Sequence, residues 1–359
     1  MIRRIDLTLY DWPLAFATLA LNAVGLFALA SAAPSPRLWK MQLVWTALAL
    51  GSALVLQLLR KSTLYRAVPW LYVGVLLLLV GVLLFGREVN GARAWFVIGP
   101  LRLQPSELGK LALILVLARY LHAHPLEGWR DYLVPVLLAA PPILLTAAEP
   151  DLGGALVMVA IVAGMFFVRG VPLRHLLLAG ALVLVLVPTV IWPNLKPYQQ
   201  ERVLVVLNPA RDPLGAGFQV IQSMIAIGSG GLAGKGYGQG TQAQLGFIPE
   251  RQTDFIFSVW AEEMGFVGAL AVLLGYAFLL YRLGVMAMEA LHDGDRLLIA
   301  GVLSFLAFQV LVNVGVTLGV APVTGITLPL MSYGGTSLLT TYLALGLAQL
   351  VYRDRFEPA

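Results

Sequence analysis

The sequence predicts an all-α polytopic membrane protein of about ten transmembrane helices, with one long extracytoplasmic loop between helices 7 and 8. Three observations carry that expectation. Of 359 residues, 59% are hydrophobic and only 12% charged, against about 25% charged in an ordinary soluble domain. Charge-free apolar runs recur at close to the roughly 20 residues that a bilayer-crossing helix needs. The 36 Gly and 21 Pro are spread through those runs and not gathered in a tail, which suits helix breaks and close helix contacts better than linkers. The composition argues against a soluble enzyme, and the chain reads as one integral membrane domain, 1–359, with 195–254 as a loop within it.

Trp12 to Pro36, Met41 to Leu59, Ala67 to Gly86, Tyr132 to Ala148, Leu152 to Val168 and Leu176 to Leu195 give spans 1, 2, 3, 5, 6 and 7. Span 4 lies near Leu103 to Arg119 despite Glu107 and Lys110, and span 8 near Phe255 to Tyr281 despite Glu262 and Glu263. Leu297 to Tyr352 contains no Asp, Glu, Lys, Arg or His; it is too long for one helix, and Pro322, Gly325, Pro329, Gly334 and Gly335 divide it into spans 9 and 10.

Ten spans put both termini on one side. Arg3, Arg4, Arg60, Lys61, Arg66, Arg119, Arg130, Arg169, Arg174, Arg282, Arg296, Arg353 and Arg355 all fall on that side, so the positive-inside rule makes both termini cytoplasmic. The net charge of +5 is therefore a topology signal, and the basic residues form no stripe for nucleic acid. Arg3 and Arg4 ahead of an apolar run imitate a signal peptide, but the run exceeds the usual 7 to 15 residues or so and reads as a retained first span. With no Cys, thiolate chemistry and Cys-ligated metals are excluded. His122, His124, His175 and His292 all lie near cytoplasmic ends, which argues against a His metal site on the outer face.

The loop of about 60 residues alternates apolar and polar residues over 201–207 and 217–225, as amphipathic segments on a membrane surface would. Seven glycines occur from Gly228 to Gly240. Gly234-Lys235 imitates a nucleotide-binding P-loop, but the spacing fails and Gly236 replaces the Ser or Thr that magnesium requires. Two readings stay open for this run: an anion-binding nest of backbone N–H groups, or a flexible turn.

An ionisable residue inside a span is costly and marks a candidate site. Glu107 and Lys110 share one helix face; Glu149 and Asp151 flank Pro150 between spans 5 and 6; Asp254 opens span 8, with Glu262 and Glu263 two turns deeper. All are candidates to line one outward-facing aqueous cavity. The alternatives are structural: an ion pair for Glu107 with Lys110, helix caps for Asp151 and Asp254, and a packing or hydrogen-bonding role for at least one of Glu262 and Glu263. An outer-face site without ATP needs a preactivated substrate, an ion gradient, or no reaction. A lipid-linked sugar diphosphate meets the first need. Glycosyl transfer from it requires a carboxylate to take the proton of the attacking hydroxyl and cations to stabilise the departing diphosphate. Asp254 with Lys110, Arg93, Arg202 and Lys235 supplies those groups.

Five ordered motifs then resemble the SEDS family (shape, elongation, division and sporulation) over nearly the whole chain. They are Asn90-Gly-Ala-Arg-Ala-Trp95 with Gln104-Pro-Ser-Glu107 and Lys110; Pro150-Asp-Leu-Gly153; Gly230-Gly-Leu-Ala-Gly-Lys-Gly236; Thr253-Asp-Phe-Ile-Phe257 with Glu262-Glu-Met-Gly265; and Asn313 through Pro322, Gly325 and Pro329 to Ser332-Tyr-Gly-Gly335. The resemblance implies an enzyme of the bacterial cytoplasmic membrane that polymerises lipid II into peptidoglycan strands at the outer face. It implies a class B penicillin-binding protein as crosslinking partner, no organic cofactor and no nucleic acid, and a divalent cation such as Mg2+ near the diphosphate. Asp254 takes the family's catalytic place, Glu107, Lys110 and Asp151 its cavity positions, and Ser332 lies in its last motif. Ala94 stands where a basic residue is common, with Arg93 one earlier, and Gln252 stands where His is common; Gly154 and Thr336 are milder departures. The rival expectations are a lipid II flippase or other secondary transporter, in which broken helices and midplane charges also occur, and a noncatalytic scaffold.

Overall fold

The computed structural model describes residues 7–89, 92–99, 101–126, 128–186, 188–189, 192–194, 200–201, 203–205, 208, 212 and 215–356. The main elements are α1 (Trp12–Ala32), α2 (Pro36–Leu56), α3 (Lys61–Phe85), β1 (Arg87–Val89), β2 (Ala92–Ile98), β3 (Leu101–Leu103), α4 (Pro105–Ala123), α5 (Leu133–Ala148), α6 (Leu152–Arg169), α7 (Leu173–Leu186), α8 (Ala216–Ser229), α9 (Ile256–Glu289), α10 (Asp293–Thr317) and α11 (Gly335–Arg353). Among the described residues seven helices are long and apolar enough to cross a membrane: α1, α2, α3, α5 with the turn before it, α6, α9 and α10. Their outward faces stay apolar: Trp70, Leu77, Phe85, Leu144 and Phe167 are each more than 60% exposed, a surface that lipid and not water would solvate.

Helices α4, α10 and α11 form the centre. Leu113, Ile114, Leu117 and Leu121 of α4, Leu298, Ile299 and Phe305 of α10, and Ala344, Ala348 and Val351 of α11 are fully buried. A helix apolar all round is expected in such a central place. Small residues allow close packing: a side chain at Gly164 on α6 would collide with Ser304 on α10, and one at Gly335 with the Trp45 ring on α2. Asp11 caps α1 by accepting the Leu14 N–H at 2.8 Å. Near the other end of the chain the Arg355 guanidinium reaches the Leu9 carbonyl at 3.4 Å, so the first and last described segments lie together.

The wholly helical expectation is corrected between α3 and α4. There β1, β2 and β3 form an antiparallel three-stranded sheet in that order, with Glu88 opposite Arg93 and Val97 opposite Arg102. The sequence carries a hairpin signal at Asn90-Gly91, a pair outside the described residues. Periodicity read in windows of about 20 residues does not register strands of three and seven residues.

In the segment before α9, α8 buries Val220, Ser223 and Ala226 on one stripe. The Ser223 hydroxyl bonds Ser258 of α9 at 2.6 Å and the Thr317 carbonyl of α10 at 2.7 Å. This amphipathic helix therefore rests on protein as well as facing outward through Met224 and Ile225.

Candidate active site

Asp254 stands in the turn that leads into α9, and the backbone of that turn is held from two sides. Asn313 near the end of α10 donates Nδ2–H to the Asp254 carbonyl at 3.0 Å and to the Ile326 carbonyl at 2.8 Å. The Ser332 hydroxyl donates to the Thr253 carbonyl at 2.6 Å and accepts the Leu328 N–H at 2.8 Å. The Tyr333 N–H donates to the Gln252 carbonyl at 2.8 Å. Three successive carbonyls are thus fixed, and the half-buried Asp254 is presented on a rigid support. The N-cap of α9 is Phe255, with no side-chain cap. The segment 324–332 is itself anchored, since Asn22 of α1 donates to the Leu330 carbonyl at 3.0 Å and Tyr276 of α9 to the Pro329 carbonyl.

A second polar group lies where α4 and α6 begin. Lys110 and Glu107 form an ion pair at 2.7 Å with side chains 2% and 9% exposed, and the Lys110 ammonium sits 5.4 Å from the Phe305 ring centroid. Among the described residues the other Glu107 oxygen, Oε2, has no hydrogen-bond partner although it is buried. Asp151 caps α6 by accepting the Gly154 N–H at 2.8 Å, and its Oδ2 accepts from Gln104 Nε2 at 3.1 Å and Ser106 Oγ at 3.2 Å. It ties the starts of α4 and α6 together. Glu149 beside it is fully buried, and neither carboxyl oxygen has a partner among the described residues. Burial first, and then the charge of Asp151, push the Glu149 carboxyl up to about 8, so it is protonated at neutral pH. Gly153 brings this group to the same segment that holds Asp254: an added Cβ there would lie 2.6 Å from the Thr324 carbonyl and 2.9 Å from Ile326 Cγ1.

The glycine run docks on a break in α9. At Gly265 the backbone has φ 67° and ψ −165°, a conformation open to glycine. The break frees backbone groups that the run takes up: the Lys235 and Gly236 N–H groups donate to the Glu262 and Glu263 carbonyls, each at 3.0 Å, and Phe266 N–H donates to Gly231 at 2.8 Å. Those two loop amides are aimed at α9 and not at an anion. Fully buried Glu262 completes the clamp, accepting from Lys235 Nζ at 2.7 Å, Thr241 Oγ1 at 3.2 Å and Gln242 N–H at 3.0 Å. Glu263 accepts from Ser31 of α1.

The structure therefore brings Asp254 and Ser332 into one clamp, Glu107, Lys110 and Asp151 into a second group sharing its supporting segment, and Lys235 into the loop's anchor. Arg93 is exposed on β2, opposite Glu88; Arg202 lies outside the described residues. Asn313 had been only a motif position, because a buried amide serving two carbonyls leaves no periodic or charge signature in a sequence. Among the described residues no group of three or more His, Cys, Asp or Glu comes together to hold a metal ion.

Comparison with known proteins fits this arrangement. The cell cycle protein family model for FtsW, RodA and SpoVE matches residues 14–356. The chain is 41% identical over 290 residues to the peptidoglycan glycosyltransferase MrdB of Escherichia coli (strain K12), covering 80% of this chain and 78% of that one. It is 37% identical over 366 residues to a probable peptidoglycan glycosyltransferase FtsW of Thioalkalivibrio sp. (strain K90mix), covering 97% and 91%. Among solved structures, a chain from a peptidoglycan synthase complex described as coordinating polymerization and crosslinking is 52% identical with a TM-score of 0.87, over 97% of this chain and 99% of that one. The Thermus thermophilus rod shape determining protein RodA is 43% identical with a TM-score of 0.76, over 97% and 98%. The chain belongs to the FtsW/RodA/SpoVE family, the SEDS proteins.

Proposed function

We propose that this protein is a peptidoglycan glycosyltransferase that polymerises lipid II at the outer face of the bacterial cytoplasmic membrane, with Asp254 as general base. The observation that carries the site assignment is the fixing of the 252, 253 and 254 carbonyls by Asn313, Ser332 and Tyr333, which holds the backbone from which the Asp254 carboxylate projects. Asp254 takes the proton from the C4 hydroxyl of the acceptor sugar. That oxygen forms a bond to the anomeric carbon of the donor with inversion, while the bond from that carbon to the diphosphate breaks and the lipid diphosphate leaves. Lys110, Arg93 and Arg202 offset the departing charge. Lys235 with Glu262 anchors the loop, and Asp151 and Ser332 hold the framework.

The membrane reading is completed by α4, α7 and α11, which raise the seven long apolar helices to ten spans. Residues 195–254 form the extracytoplasmic loop, and the paired termini lie in the cytoplasm, the side to which the basic residues assign them. A class B penicillin-binding protein is the crosslinking partner. The coordination of polymerization and crosslinking described for the related synthase complex supports that pairing.

Purified protein supplied with lipid II should produce a glycan ladder, and Asp254→Asn should stay folded and produce none. An unchanged ladder would remove Asp254 from the mechanism. The break in α9 favours a second reading, a flippase or other transporter. The freed backbone groups at that break are, however, used by the glycine run and not left for a substrate. Lipid movement across vesicles with no ladder would favour the transporter.

A further inference from the structure

The face on which Leu9 and Arg355 meet has its own recess, which plays no part in the glycosyl-transfer reading. It lies where the first turns of α3 and α10 meet the last turn of α4, and it encloses about 480 Å3, within the roughly 300–1,000 Å3 usual for small-molecule sites. Arg66, Arg119, His122 and His292 line it. The acid in the lining, Asp295, is already engaged: Oδ2 meets the Lys61 ammonium at 2.8 Å and Oδ1 accepts from the Tyr65 hydroxyl at 3.1 Å.

Arg66 and Arg119 differ from their basic neighbours. Lys61, Arg169, Arg282, Arg296 and Arg353 each pair with an aspartate. Among the described residues Arg66 and Arg119 bond only backbone carbonyls, Arg66 through Nε to Ser62 at 3.2 Å and Arg119 through Nη1 to Tyr65. Two guanidiniums thus border one recess with no carboxylate bonded to either among the described residues, and with further N–H donors to offer. The positive ends of α3 and α10 add to the field there, while the negative end of α4 stabilises Arg119 and His122. Gly294 keeps the wall close, since an added Cβ would lie 3.3 Å from both the Tyr65 hydroxyl and the His122 ring.

The surroundings indicate what anion arrives. Trp70, one helical turn beyond Arg66 on α3, and Trp129, in the turn before α5, are 79% and 75% exposed. Trp129, just ahead of α5, is an exposed tryptophan of the kind that collects at the headgroup level of a bilayer, which sets this face of the molecule at the depth of lipid phosphates. We infer that this recess binds the phosphodiester headgroup of an anionic membrane lipid, with Arg66 and Arg119 as its two phosphate partners. The arrangement follows the general pattern of basic pockets between spanning helices.

Purified protein in neutral detergent, titrated with short-chain phosphatidylglycerol or phosphatidylcholine and followed by native mass spectrometry, tests this. The wild type should retain phosphatidylglycerol in preference to phosphatidylcholine. Arg66→Gln with Arg119→Gln should lower that retention by roughly twenty- to thirtyfold, about fivefold for each arginine, and Arg66→Lys with Arg119→Lys should keep most of it. Arg130→Gln, which removes a cation stacked on Trp129 outside the recess, should leave it unchanged. Equal retention of both lipids by the wild type, or an equal loss in Arg130→Gln, would overturn the site. Abolition by inorganic phosphate at matching concentration would reassign the recess to a soluble anion and overturn the lipid reading. Should the double Gln variant fail to fold, the wild-type preference and the Lys variant still decide.

Discussion

The two ends of the molecule treat buried ionisable groups differently. At the end where Leu9 meets Arg355, Lys61 pairs with Asp295 at 2.8 Å, Arg282 with Asp11, and Arg353 with Asp354 at 2.7 Å. At the end with Asp254, Glu107, Glu149 and Glu263 are buried, yet each has at least one carboxyl oxygen with no partner among the described residues. A buried unsatisfied polar atom costs about 1–3 kcal/mol, so it persists where something other than stability maintains it. The aspartate pairs mark the first end as framework. Incomplete pairing at the second fits the substrate site proposed there.

That contrast is breakable, starting with the largest effect. Removing one partner of the Lys61–Asp295 pair, as in Lys61→Met, should cost about 3–5 kcal/mol because the other charge stays buried alone. Replacing both, with Lys61→Met and Asp295→Leu, should restore most of the loss; thermal unfolding of the purified proteins reads both. Lys110→Met should act differently, lowering lipid II polymerisation by about a hundredfold, the scale of losing one charge-stabilising donor, beyond any effect on unfolding. Asn313→Ala leaves two carbonyls without their donor and should cost about 1–3 kcal/mol, with kcat falling more than KM changes. If KM alone rises, Asn313 does not position Asp254.

The smallest expected effect concerns pH. Glu149 is raised from 4.5 to about 8 by burial and by Asp151. The native state therefore keeps a proton that the unfolded state releases above about 4.5. Stability from this group is present below that pH, declines as pH rises towards 8, and then levels off. Glu149→Gln should flatten that decline in unfolding curves measured from pH 5 to 9, and an unaltered slope would show that Glu149 ionises freely.

Much of this was legible in the sequence. Charge-free runs of span length located α1, α2, α3, α5 and α6, while charges within spans picked out Glu107 and Lys110 as candidates and charges at span junctions picked out Asp151 and Asp254. The β1–β3 sheet left only the Asn90-Gly91 hairpin signal, because its strands are shorter than the windows that reveal spans. Lys235 was visible as a cation of the outer loop, but its bond to Glu262 depends on a break at Gly265 that only the backbone shows. The clamp on residues 252–254 was hidden for a similar reason: its acceptors are carbonyls, which every residue has. Asn313 and Ser332 differ from other polar residues only in what they reach.

The most direct test compares the two ends in one assay, glycan ladders made from lipid II by Asp254→Asn and by the Lys61→Met, Asp295→Leu double variant, each shown to be folded. A general base contributes typically 10²–10⁴-fold, so Asp254→Asn should yield no ladder while the double variant matches the wild type. A ladder from Asp254→Asn, or loss of the ladder in both, would contradict the assignment of chemistry to the Asp254 end.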